Sequence, residues 1–325
     1  MDRVEVGGRV HLQMNTTSEG ALEPGAEFLL RRARIWVGAR VNEWIDGVAQ
    51  IDVAGGRATA RYAFVRFSLA PELALSFGQF KRAFDLFELT SSSQTLVVER
   101  DGDIRGAEPC GGLGRVCSYS AFTEALELSS LDVGMAAEGE LAGGRARYSV
   151  TFTNGAGDNR LEDNDGKSAS ARLEVSPLAG LTLGGNLAVH DYDGPAPGEV
   201  SYAPAAAVDA EWGGFDAGWH VQAGVLTGEN WRHGGTAPTF RAAQAILSHR
   251  FQRSADGRVR GVEPVGRVSL GDPDTGTAAD GGLLLTPGLI VHFEGRNRVA
   301  ANVDVWSPSD GGSAWSLKVQ TNLYF

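Results

Sequence analysis

Charged residues placed two apart in an alternating stretch can line one wall of a passage. In "RRARIWVGAR" the residues Arg32, Arg34 and Arg40 share a parity, and Arg66 and Arg298 hold comparable places in two further stretches. The segment after "LSFGQF" adds Lys81, Arg82 and Arg100, while Asp46, Asp52 and Asp304, with Asp85 and Glu88, supply the opposite charge. Rings of Arg and Lys facing water select anions by their charge, so these residue types suggest the sorting of ions rather than the making of bonds. Pairing of any one arginine with a neighbouring carboxylate, to stiffen a wall, is the equally open alternative.

Bond-making chemistry has little support. The chain holds no Gly-x-Ser-x-Gly elbow, no His-Glu-x-x-His and no phosphate-cradling Gly-x-x-x-x-Gly-Lys-Ser/Thr. Its six histidines, His11, His190, His220, His233, His249 and His292, are scattered, and a hydrolase built on one of them would need a serine and an acidic partner that no local motif supplies. The acidic stretch "DNRLEDNDGK" fails as a calcium loop, because aligning Asp163, Asp165 and Gly166 to the loop pattern puts Leu161 at the first ligand position and Arg172 at the last. A solvated loop is expected there, with loose calcium or lipopolysaccharide contacts left open. No enzyme activity, metal or cofactor is expected. Cys110 and Cys117 in "EPCGGLGRVC" are expected to close a small disulfide ring in an oxidising compartment, with reduced thiols as the alternative.

The elements that must position these residues are strands. Stretches of period two recur along the chain, among them "RVEVGGRVHLQMN", "RRARIWVGARV", "ELALSFGQF", "GRARYSVTFTNG", "RNRVAANVDVW" and "SAWSLKVQTNLYF". About sixteen can be counted, many near the ~9 to 11 residues that a tilted strand needs to cross a bilayer. In the second, Ala33, Ile35, Val37, Ala39 and Val41 oppose Arg32, Arg34, Trp36, Gly38 and Arg40; in the fifteenth, Val299, Ala301, Val303 and Val305 oppose Arg298, Ala300, Asn302 and Asp304. No apolar run approaches the ~20 residues of a spanning helix. The net charge of -11 argues against a nucleic-acid partner.

Links between strands alternate in length. They are tight at "VNEW", "APE", "LAGG", "SPLAG", "WGGF" and "EGRN", and mostly long and polar at "NTTSEGALEPGA", from Lys81 to about Ser129, "GAGDNRLEDNDGK", "TGENWRHGGTAP" and "GDPDTGTAADGG". Short periplasmic turns and long extracellular loops are the build of an outer-membrane barrel, whereas a soluble β-sandwich or solenoid, the alternative, has no reason to obey that parity. Trp36, Trp44, Trp212, Trp306 and Trp315 fall near strand ends, where an aromatic girdle would lie. The last stretch ends on an apolar Phe325, as a strand closing the barrel would, and resembles the C-terminal signal read by the barrel assembly machinery. The opening "MDRVEVGGRV" shows no leader, so an exported chain is expected to have lost one.

The stretch Gly78, Gln79, Phe80 and Lys81, with Phe84, Glu88, Ser91, Ser92, Glu99 and Arg100, resembles the phosphate-selective porin O/P family. "VEVGGRVHLQ", "RRARIWVGARV" and "YSVTFTNG" are similar to strands of that family. The resemblance implies a trimeric diffusion porin whose third loop folds into the lumen, with anions drawn along arginine rows and held by lysines. Here Lys81, Lys167 and Lys318 are the only lysines, a departure that argues against phosphate specificity.

The combined expectation is an all-β, transmembrane, antiparallel up-and-down β-barrel of about 16 strands. It spans 1–325 as a single domain, with a constriction loop at about 81–129. It would sit in the bacterial outer membrane among lipids and lipopolysaccharide, as a homotrimer without nucleic acid. Its task would be passing small hydrophilic solutes or ions, anions such as phosphate among the candidates. The expected pore-lining residues are Arg32, Arg34, Arg40, Arg66, Lys81, Arg82, Asp85, Glu88, Arg100 and Arg298. A barrel with a plugged lumen and adhesive loops is the rival.

Overall fold

Apolar and polar residues alternate along sixteen antiparallel strands, each paired with its sequence neighbours. They are β1 (Arg3–Thr16), β2 (Ala26–Arg40), β3 (Ile45–Asp52), β4 (Thr59–Ala70), β5 (Leu73–Lys81), β6 (Leu131–Leu141), β7 (Ala146–Thr153) and β8 (Ser168–Leu178). The second half comprises β9 (Leu181–Asp193), β10 (Val200–Gly213), β11 (Gly218–Glu229), β12 (Thr239–Gln252), β13 (Gly261–Asp272), β14 (Gly282–His292), β15 (Arg298–Pro308) and β16 (Ala314–Tyr324). This computed structural model describes residues 3–18, 25–216, 218–253 and 256–325.

β1 pairs with β16 from Arg9↔Tyr324 to Asn15↔Lys318, and the sheet closes into a barrel. Closure gives every strand two partners, which a lipid setting demands because no water is there to satisfy an open edge. The turns at 71–72 and 179–180 are two residues long, whereas 82–130 joins β5 to β6. Along β10 the outward row carries Tyr202, Val208 and Trp212, all exposed, and the inward row carries the buried Ala203, Ala205, Ala207 and Asp209. The same division runs through the neighbouring strands, so the apolar row faces outward, as a hydrocarbon surround requires.

The largest apolar cluster lies inside the barrel. Segment 82–130 carries two short helices, α1 (Leu86–Leu89) and α2 (Tyr119–Ala125), and buries Phe84, Phe87, Val97, Phe122, Leu126 and Leu128 against inward residues of β9 to β16. Those inward positions are small, including Ala188, Ala205, Ala207, Ala242 and Ala300, which makes room for the inserted segment. Phe122 stacks on Phe240 with ring centroids 4.7 Å apart. Each such side chain removed from water contributes on the order of 1.5–3 kcal/mol. The inward row of this half is therefore a packed core and not the water-filled wall that its scattered charges suggested.

Two expectations about tryptophan need correcting. Trp44, Trp212 and Trp315 are exposed on the outer wall, but Trp306 is buried in the internal cluster and Trp36 shares the inward row of Arg32 and Arg34. Proximity to a strand end does not decide which face a ring takes; the row does.

Candidate functional site

The inserted segment leaves the β1–β6 side of the lumen open as a cavity of about 730 Å³. Arg9, Arg31, Arg32, Arg34, Arg61, Lys81, Arg100 and Arg160 line it against Asp52, Glu88, Glu124, Glu127 and Asp158, eight cations to five carboxylates. Two β-bulges enrich the cationic side. His11 pairs with Arg32 while Leu12 pairs with Leu30, so Arg31 is an extra residue and turns inward beside Arg32. Ala49 pairs with Ala63 while Ile51 pairs with Ala60, which brings both Arg61 and Tyr62 to the cavity. Bulges re-aim side chains in this way.

Strict alternation passes over the bulged Arg31 and Arg61, whereas Arg9 lies on the inward row that alternation itself defines in β1. A signal for the first was present: two adjacent arginines on a strand would send one into lipid, at about 2–4 kcal/mol near the midplane, unless a bulge intervenes.

Most of the lining is paired. Arg34 Nε donates to Asp52 Oδ2 at 2.7 Å, Arg61 Nη1 to Asp158 Oδ2 at 2.7 Å, and Lys81 Nζ to Glu88 Oε2 at 2.8 Å. Arg100 Nε donates to the Phe87 carbonyl at 2.9 Å and lies 4.0 Å from Glu88. Burial would raise the Glu88 carboxyl, but Lys81 and Arg100 hold it below the usual carboxylate range. Arg9 and Arg32 are the exceptions: among the described residues neither ion-pairs with a carboxylate, Arg9 hydrogen-bonds to Tyr324, and the Nε of each, like that of Arg61, is buried without a partner.

Other expected lining residues lie elsewhere. Arg40 is exposed at the end of β2, where it pairs in register with Arg3 and Asp46. Arg66 ion-pairs with Glu138 and lines a separate hollow toward the β4–β5 turn. Arg82 is sealed behind the inserted segment, where it donates to the Glu127 carbonyl and lies 3.2 Å from His190 Nδ1. Asp85 caps α1 through the Phe87 N–H at 3.0 Å, and burial with Glu88 pushes its carboxyl up to about 8. Arg298 is buried beside Thr95 at 3.3 Å. Arg82 and Asp85 are folded under the rest of their own segment, 82–130, and Arg298 is covered by it, and chain position alone does not say which wall the segment meets.

Gln79 ties the rim together. Its amide donates to the Ala60 and Arg61 carbonyls at 2.9 and 3.0 Å and accepts from the Asn159 N–H at 2.8 Å, pinning the 154–167 connection beside the cavity. The preceding Gly78 has φ +133, and a Cβ there would stand 2.2 Å from the Ala63 carbonyl oxygen, so only glycine fits. Cys110 and Cys117 meet as a disulfide with Cα atoms 5.1 Å apart. Among the described residues no group of three or more His, Cys, Asp or Glu side chains is placed to hold a metal ion.

A closed sixteen-stranded barrel with an apolar exterior and a charged internal cavity defines a class, the diffusion channels of bacterial outer membranes, and this protein is one of them. The chain belongs to the phosphate-selective porin O and P family, whose pattern matches residues 4–211. No curated protein sequence matches it. Among solved structures it is similar to the anion-selective porin from Comamonas acidovorans, with a TM-score of 0.67 and 11% identity over 100% of both chains. It is also similar to the outer membrane channel DcaP of Acinetobacter baumannii, with a TM-score of 0.65 and 11% identity over 99% of this chain and 97% of that one. OmpT of Vibrio cholerae, in its trimer form, gives a TM-score of 0.64 and 11% identity over 100% of this chain and 99% of that one. At such identities these likenesses speak for the fold alone.

Proposed function

We propose that the channel prefers small anions, that segment 82–130 is its constriction, and that residues 1–325 form one barrel domain working as a homotrimer. Arg9 and Arg32 carry the preference. Both line the cavity without a carboxylate partner among the described residues, in a lining where basic side chains outnumber acidic ones by 8 - 5 = 3. Lumen cations of this kind concentrate anions and repel cations across a few ångströms of water. Arg31, Arg34, Arg61, Lys81, Arg100 and Glu88 complete the lining, and Arg40, Arg82, Asp85 and Arg298 take no direct part. Support for the trimer is the fold shared with the trimer form of OmpT of Vibrio cholerae, together with an apolar outer hollow framed by Leu12, Phe28, Leu30 and Val319.

The reversal potential of the purified protein in a planar bilayer under a potassium chloride gradient tests the preference. The expected sign is that of chloride, with current reduced by added phosphate if that anion enters the same cavity. A cation-selective potential would overturn the reading.

A further inference from the structure

We infer that Glu99, a residue of the inserted segment and not of the cavity lining, sets the strength of the channel's charge preference by holding Arg31 of the arginine doublet in an ion pair. The inference rests on the reading that the cavity beside Arg31 and Arg32 is the route of the ions.

The backbone that presents Glu99 cannot retreat. Val98 N–H donates to Asn302 Oδ1 at 2.8 Å, and Arg267 Nη1 donates to the Glu99 carbonyl at 3.1 Å and to that of Arg100. Arg267 is itself fixed by Asp304 at 2.8 Å, which also accepts from Lys318 at 2.6 Å. From this strut the buried Glu99 side chain reaches the adjoining strands β1 and β2. It accepts from Arg31 Nε at 2.6 Å, from Arg31 Nη2 at 3.1 Å and from Gln13 Nε2 at 3.0 Å. Burial would raise this carboxyl, but Arg31 and then Arg32 draw it down to about 2, so it stays charged under all ordinary conditions.

Glu99 is thus the carboxylate that meets the doublet. Arg34 has Asp52 and Arg61 has Asp158, whereas no carboxylate among the described residues ion-pairs with Arg32. Removing the Glu99 charge would free Arg31 and leave two adjacent, unopposed guanidinium groups beside the cavity. At a few ångströms in a partly dehydrated lumen one such charge moves an ion's partition by several-fold even after screening.

The test compares reversal potentials of heat-modifiable, folded wild type, Glu99→Gln, Arg32→Gln and the double substitution Glu99→Gln with Arg31→Gln. Glu99→Gln is expected to raise the anion-to-cation permeability ratio by about threefold or more. Arg32→Gln is expected to lower the ratio. The double substitution, whose net charge equals the wild type's, is expected to return it to the wild-type value and supplies the comparison if the single variant fails to fold. A shift in Arg32→Gln without one in Glu99→Gln, or a double substitution still shifted as far as the single, would overturn the role of Glu99. No shift in Arg32→Gln would instead remove the cavity as the route. The sign of the wild-type potential bears on anion preference alone.

Discussion

Glu124 lies on α2 at the cavity, and Arg115 Nη1 donates to its Oε2 at 2.8 Å. Its side chain stays 37% exposed, yet the protein packed around it, with Glu88 and Asp101, pushes its carboxyl up to about 8, against the pull of Arg115 and Arg100. A raised carboxyl keeps its proton at neutral pH and loses it as pH climbs through about 8. The folded state then binds more protons than the unfolded chain between the ordinary carboxylate range and that value, so this group's contribution to stability falls as pH rises across the window. The same ionisation adds a negative charge to the lining. Anion preference is expected to decline between pH 7 and pH 9, and Glu124→Gln to flatten that decline; bilayer reversal potentials at the two pH values check it, and an equal slope in both proteins would sink it. None of this was legible in the sequence, since Glu88 and Asp101 become neighbours of Glu124 only through the folding of the segment that carries all three.

Elements divide into those that the residue pattern specifies and those that it does not. Period-two alternation with lumen-facing Arg32 and Arg34 marks β2 as a strand, and the links at 71–72 and 82–130 mark opposite ends of the barrel, because these are local properties of the chain. A bulge is local too, yet its trace is only the doublet Arg31 and Arg32, and alternation read straight through it loses Arg31. The seat of segment 82–130 is not local at all: Glu99 meets Arg31 across 68 positions and Val98 meets Asn302 across 204. What fixes that seat is apolar packing, which sets up a test. Phe122→Ala removes a fully buried ring stacked on Phe240 and should cost about 3–5 kcal/mol in the segment's docking. With the barrel still closed by its own strand pairing, the expected result is a larger and noisier single-channel conductance; traces indistinguishable from wild type would show that the segment is held by its polar anchors instead.

At the scale of the whole molecule, closure is the step on which every strand depends, because each edge left open in lipid leaves backbone groups unsatisfied at several kcal/mol apiece. Phe325 contributes to that closure twice. Its backbone exchanges hydrogen bonds with Gly8, N–H to carbonyl at 3.1 and 2.9 Å, extending the β1–β16 seam. Its ring lies on the outer wall over Gly8, where a Cβ would stand 2.2 Å from the ring carbon, so the absence of a side chain at Gly8 is what lets the ring lie flat along the seam. Removing Phe325 is expected to lower the yield of heat-modifiable folded barrel, and a normal yield would refute the role. Gly8→Val separates its two parts, since it displaces the ring while keeping the Phe325 backbone in the seam. A loss of yield in both variants places the effect in the ring's seat. A loss confined to the removal of Phe325 places it in the terminal backbone pair with Gly8, and the ring's seat on Gly8 then serves packing alone.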